Sequence, residues 1–147
     1  MDIDTFLSAN KSMVIAPAGF GKTYTIAECI ASYRGEKRVL VLTHTHAGIA
    51  SLKEKFRLKN IPSSTYQLET ICGFALNLVK AYHLNKDEIP SLSDAGSLFH
   101  FAIEHATKIL KALPIKKYLA IKYDHLIVDE YQDLSLIHIS EPTRLDV

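Results

Sequence analysis

Short apolar runs alternate along the chain with stretches whose apolar positions recur every three or four residues, and Gly, Pro and Asn mark the changes. Ser12 to Ala16 (SMVIA) is an apolar run that ends at a Pro/Gly turn, which predicts a buried strand. Residues 21–33 read as a helix. Arg38 to Thr43 (RVLVLT) is rich in Val and Leu and predicts a second buried strand. His46 to Leu58 is helical, with Ile49, Leu52 and Phe56 on one face. Residues 64–69 form a third, weaker strand. Residues 70–83 are helical, with Ile71, Phe74, Ala75, Leu78, Val79 and Tyr82 at spacings of three and four. Residues 94–113 predict a long amphipathic helix burying Leu98, Ala102, Ile103, Ala106, Ile109 and Leu110, with Pro114 after its end. Residues 125–129 (HLIVD) are a final buried strand. Strands alternating with helices imply βαβ units, a parallel sheet and a three-layer α/β domain. The segment 84–121 is almost all helix and loop, and it reads as an insertion between two sheet strands.

Composition narrows the class. The 147 residues fit one domain, and 48% hydrophobic with 22% charged residues can fill a core, which excludes wholesale disorder. Seventeen Lys and Arg against sixteen Asp and Glu give a net charge of +1. That excludes a strongly basic nucleic-acid coat protein and leaves room for a local basic groove. Cys29 and Cys72 form no C-x-x-C pair, so neither a disulfide scaffold nor a structural zinc site is expected, and a reducing cytoplasm suits them. The start, MDIDTFLSANKS, is acidic and lacks a long apolar run, so it does not read as a signal peptide. No stretch of about 18 apolar residues appears, so no membrane span is expected.

Residues 16–23 read APAGFGKT, between an apolar strand and a helix. The phosphate-loop pattern is G-x-x-x-x-G-K-[ST], with Ala16 standing at its first Gly. In the loop Pro17–Ala18–Gly19–Phe20–Gly21, Gly19 and Gly21 let the successive N–H groups that follow Pro17 curl around a phosphate. The helix start presents unpaired N–H groups and its positive dipole end to the same anion. Lys22 would neutralise the β- and γ-phosphates of ATP, and the Thr23 hydroxyl would ligate Mg²⁺.

Residues 126–133 read LIVDEYQD. An apolar strand ending in adjacent acids puts both carboxylates at the C-terminal edge of the sheet, where α/β proteins bind ligands. Asp129 would hold Mg²⁺, directly or through water. Glu130 would orient and deprotonate an attacking water. Together with APAGFGKT, these acids make one site, a P-loop NTPase site.

The pair APAGFGKT and DEYQD resembles the UvrD/Rep-type helicases of superfamily 1. Their phosphate loop commonly reads A-x-A-G-x-G-K-T and their acidic motif D-E-x-Q-D. The resemblance covers residues 12–83 and 123–135. It implies the N-terminal RecA-like ATP-binding domain of an ATP-dependent DNA helicase, with ATP and Mg²⁺ as cofactors and single-stranded DNA as partner. Such an enzyme couples ATP hydrolysis to translocation on DNA, in DNA repair, recombination or phage defence, in some cases with a nuclease partner. By the same match Gln132 senses the γ-phosphate and couples it to the DNA site, joining Lys22 and Glu130 as catalytic residues, and Asp133 closes the motif. Residues 42–56, LTHTHAGIASLKEKF, are similar to the segment T-x-T-N-x-A-A-x-x-M-x-x-R, which contacts the single strand. Thr43, His44, Thr45 and His46 would then face DNA, with His46 in the place of Asn. Residues 69–83, ETICGFALNLVKAYH, are similar to T-x-H-[SG]-[FL]-A-x-x-L-[LV]. Thr70, Gly73, Phe74 and Ala75 match it, Cys72 replaces His, and Thr70 joins the DNA-facing set.

The chain also departs from that pattern. The family reads adenine with a Gln upstream of the phosphate loop, and the only Gln residues here are Gln67 and Gln132. The stretch from Tyr82 to Asp124 is short for the family's large helical insertion. The chain ends soon after DEYQD, before the G-D-x-x-Q segment, the second RecA-like domain and its arginines. Residues 1–135 are therefore expected to form the ATP-binding domain of an inactive fragment. Residues 136–147 look like translated sequencing-adaptor read-through, a non-native or disordered tail. The alternative from another class is a nucleotide switch or defence module that binds ATP without unwinding.

The remaining polar groups read more plainly. His44 and His46 have no Cys or third ligand nearby, so they suit DNA contact or helix capping better than metal. Cys72 reads as a small buried hydrophobe. Lys53, Lys55, Arg57 and Lys59, and the second cluster of Lys108, Lys111, Lys116 and Lys117, read first as solvated faces. His100 and His105 fall on the polar side of their helix.

Overall fold

The computed structural model describes residues 12–16, 22–91, 93–129 and 144–146. Strands β1 (Ser12–Ala16), β2 (Arg38–Thr43), β3 (Tyr66–Thr70), β4 (Tyr123–Asp129) and β5 (Arg144–Asp146) form one sheet in the order β3-β2-β4-β1-β5. Every pairing in it is parallel. Helices α1 (Lys22–Ser32), α2 (His46–Leu58), α3 (Ile71–Tyr82), α4 (Ala95–Leu110) and α5 (Leu113–Lys122) connect the strands. This is a RecA-like P-loop α/β architecture.

The two faces of the sheet carry separate cores, because successive side chains on a strand point opposite ways. Val39, Val41 and Ile127 pack against Ile26, Ala27, Cys29 and Ile30 of α1 and against Leu52 and Phe56 of α2. Leu40, Leu42 and Val128 pack against Ile71, Ala75, Leu78 and Val79 of α3 and against Ala102, Ile103, Ala106 and Leu110 of α4. A central strand covered on both faces must be apolar at every position, which explains the unbroken RVLVLT run. The helical insertion thus shares its core with the sheet.

Several boundaries differ from the sequence reading; the third strand, expected over 64–69, runs over Tyr66–Thr70 behind a short 3-10 turn at Ser63–Thr65. The long helix expected over 94–113 ends at Leu110, and a further helix, α5, starts at Leu113 with Pro114 in its first turn. Pro is tolerated there because the first-turn N–H groups have no intrahelical partner, so Pro114 opens a helix as well as following one. β4 begins at Tyr123, two residues early, because Tyr123 is buried and its hydroxyl donates to Gln67 Oε1 at 2.6 Å. His105 is half-buried, its ring stacked on Phe101 at 3.9 Å and edge-on to His83 at 4.9 Å. Of the segment expected to be a non-native or disordered tail, Arg144–Asp146 lies parallel to β1, with Met13 opposite Arg144 and Ile15 opposite Asp146. Residues 136–143 and 147 lie outside the described residues.

Polar pins hold the N-terminal edge of the sheet. The Tyr33 hydroxyl donates to Asp124 Oδ2 at 2.5 Å and has the Lys37 carbonyl oxygen at 2.6 Å. Arg38 donates through Nη2 to the carbonyls of Ser63 and Tyr66. The candidate site lies at the other, C-terminal edge of the sheet.

Candidate nucleotide-binding site

Four strands end on one row. Thr70 is the ladder partner of Thr43, Thr43 of Asp129, and Asp129 of Ala16, and each is the last residue of its strand. Neighbouring strands are about 4.8 Å apart, so the row brings four separate sequence segments to one edge. The row also faces one way. Thr43 lies two residues after Val41, and Asp129 two after Ile127, so both side chains point to the face covered by α1 and α2.

α1 begins at Lys22, and Thr23 in its first turn is half-buried on that same side of the sheet. Asp129 is 6% exposed. A carboxylate and a hydroxyl beside a helix start are hard oxygen donors, the set that suits Mg²⁺ on a bound nucleotide. Donors of this chemistry fit such an ion, and Thr23 and Asp129 would be the residues to hold it. Of the other expected site residues, Ala16 is placed as the end of β1. Pro17, Ala18, Gly19, Phe20, Gly21, Glu130, Gln132 and Asp133 lie outside the described residues. The same holds for the side chain of Lys22.

The residues expected to face nucleic acid separate into two groups. Thr45 and His46 are exposed and His44 is half-buried, at the start of α2. Thr45 is the N-cap of α2, with φ −130° and ψ 157°, and its hydroxyl accepts from the Gly48 N–H at 3.0 Å. Thr70 caps α3 in the same way, accepting from the Gly73 N–H at 2.9 Å. These bonds satisfy backbone donors that a helix start leaves unpaired. Thr43 is 0% exposed and Thr70 8%. Thr43 offers no surface to a nucleic acid, because α2 closes directly over the end of β2. A Cβ on Gly48 would lie 2.3 Å from Thr43 Oγ1. Both the burial of Thr43 and the role of Gly48 escaped the sequence reading. The available signal was a threonine ending a central, two-sided strand just before a glycine in the first helical turn.

Three residues of the basic clusters have acidic partners. Arg57 pairs with Glu54 at 2.6 Å, Lys59 with Glu28, and Lys108 with Glu104 at 3.6 Å. No group of three His, Cys, Asp or Glu able to hold a metal occurs among the described residues. No helix of the described residues is long and apolar enough to cross a membrane. A cleft of about 630 Å³ bordered by Tyr33, Arg34, Lys37 and Lys59 opens at the opposite sheet edge from the row.

A family model described as an AAA domain matches residues 2–141. The chain belongs to this family. It is a helicase-like P-loop domain, and such domains bind nucleotide, typically with a divalent metal. Comparison with curated proteins and with solved structures gives no match. The family assignment agrees with the order of elements at the row, in which the strand before APAGFGKT lies directly beside the strand before the acids.

Proposed function

We propose that this P-loop domain is the N-terminal RecA-like ATP-binding domain of a UvrD-like DNA helicase, which hydrolyses ATP and couples it to movement along single-stranded DNA. The observation that supports the reading is the shared row of Ala16, Asp129, Thr43 and Thr70. It sets the phosphate-loop strand, the acidic strand and both segments that resemble DNA-contacting motifs at one sheet edge. In this reading Lys22 and the N–H groups of residues 18–23 hold the phosphates of ATP. Thr23 and Asp129 would hold Mg²⁺, which when bound would supply charge neutralisation at the phosphates, and Glu130 would take the proton of the attacking water. Gln132 reports the γ-phosphate toward His44, Thr45 and His46. A second RecA-like domain supplies the arginines that stabilise transition-state charge and closes on the first when ATP binds.

Calorimetry with ATP and Mg²⁺, followed by ATPase assays with and without oligothymidine on a protein carrying both domains, tests this. Micromolar nucleotide affinity and stimulation by the oligonucleotide are expected. Nucleotide binding with no effect of DNA would overturn the helicase reading in favour of a nucleotide switch.

A further inference from the structure

Thr43 is enclosed completely, and its Oγ1 has no hydrogen-bond partner among the described residues. Native interiors rarely leave a buried hydroxyl unpaired, since desolvation of the group is not recovered. Valine has nearly the same shape, suits a β-strand as well and carries no such cost. A threonine at the end of a central strand therefore calls for a use of its oxygen.

Its place indicates that use. Thr43 and Asp129 are ladder partners on adjacent parallel strands, and their side chains share the face under α1 and α2. Thr43 Oγ1 makes no direct hydrogen bond to Asp129, and a single water between the two side chains would bridge them. Mg²⁺ gives up its waters reluctantly and keeps several when it sits on a phosphate and a carboxylate. On the other side, Oγ1 is held against Gly48 in the first turn of α2, where a Cβ would come within 2.3 Å of it. That contact restricts where the hydroxyl can point.

We propose that Thr43 is a positioning residue of the nucleotide site: its hydroxyl orients a magnesium-bound water held by Asp129, and the close approach of Gly48 keeps it in place. The inference rests on the nucleotide reading above. It assigns Thr43 to the metal side of the site and leaves contact with DNA to the exposed Thr45 and His46.

The test compares the parent chain with Thr43→Val and Thr43→Ser. Two quantities are read: the melting temperature without ligand, and the gain in affinity for a non-hydrolysable ATP analogue when EDTA is replaced by Mg²⁺. Thr43→Val should melt about 2–4 °C higher than the parent, because an unpaired hydroxyl is removed. Its magnesium-dependent gain should fall about tenfold, the lower end of what loss of such an outer partner costs a metal. Thr43→Ser should recover most of that gain. A Thr43→Val chain that keeps the full gain overturns the proposal. So does one that loses the gain together with several degrees of melting temperature, since that pattern describes a structural residue. A parent chain with no magnesium-dependent affinity at all means that the nucleotide reading itself has failed.

Discussion

Asp129 and Ala16 are direct ladder partners at the ends of β4 and β1. The acid and the entrance to the phosphate loop are thus held one strand spacing apart by backbone hydrogen bonds, independent of any side-chain contact. A carboxylate that is 6% exposed and fixed in this way has few positions open to it. Charge placed before the ligand arrives is what makes electrostatic stabilisation effective in catalysis.

Lys22→Ala should weaken ATP binding by about tenfold to a hundredfold, the equivalent of one charge-assisted contact of roughly 1.5–3 kcal/mol. The fold should survive, because the position is the first residue of α1, where a helix tolerates Ala well. Calorimetry and a thermal melt of the same variant check both halves. Unchanged affinity would mean that APAGFGKT is only a turn.

By itself the 147-residue chain should turn ATP over far more slowly than about 1 s⁻¹, since a transition-state arginine is worth about 10³–10⁵ in rate. The arginines the structure describes in full stand elsewhere. Arg34 donates to the carbonyls of Ala31 and Tyr33, Arg38 opens β2 at the opposite sheet edge, and Arg57 pairs with Glu54. A steady-state assay with single-stranded DNA present checks this; stimulated turnover near 1 s⁻¹ would contradict it.

Gly48→Ala reverses an ordinary expectation. Within a helix, Ala is better than Gly by roughly 1 kcal/mol. Here the new Cβ would meet Thr43 Oγ1 at 2.3 Å, in a fully buried setting. The variant should instead be destabilised by about 1–3 kcal/mol, as overpacking costs. Thr43→Ala removes the obstructing oxygen, so Gly48→Ala made in that background should be close to neutral or stabilising. Urea unfolding of the four proteins in the cycle measures the coupling.

Alkaline pH should expose the buried thiol of α1. Burial pushes Cys29 up from 9.0 to about 11. Below about pH 9 both folded and unfolded chains keep the proton, so the thiol adds no pH dependence. Between about pH 9 and 11 the unfolded chain releases it while the folded chain retains it, and stability must fall as pH rises. The Tyr33 phenol, raised by burial and then by its hydrogen bond to Asp124, adds to the fall above pH 10. Urea midpoints across this range should drop less steeply for Cys29→Ala than for the parent. Equal slopes would show that the thiol is not buried as described.

The sequence by itself determined the alternation of strands and helices, the parallel sheet and the two motif-bearing strands. It could do so because a strand covered on both faces demands apolar residues throughout, as in RVLVLT, and because glycines before a lysine and a helix have few other uses. The capping roles of Thr45 and Thr70 were also within reach, since a threonine immediately before a helical run suits the N-cap. Only the tertiary structure decided which strands are neighbours. It put Thr70, Thr43, Asp129 and Ala16 on one row, and it turned Thr43 inward beneath Gly48. Strand order and register depend on which helix covers which face, and residues far apart in the chain settle that by packing together, which no local pattern records.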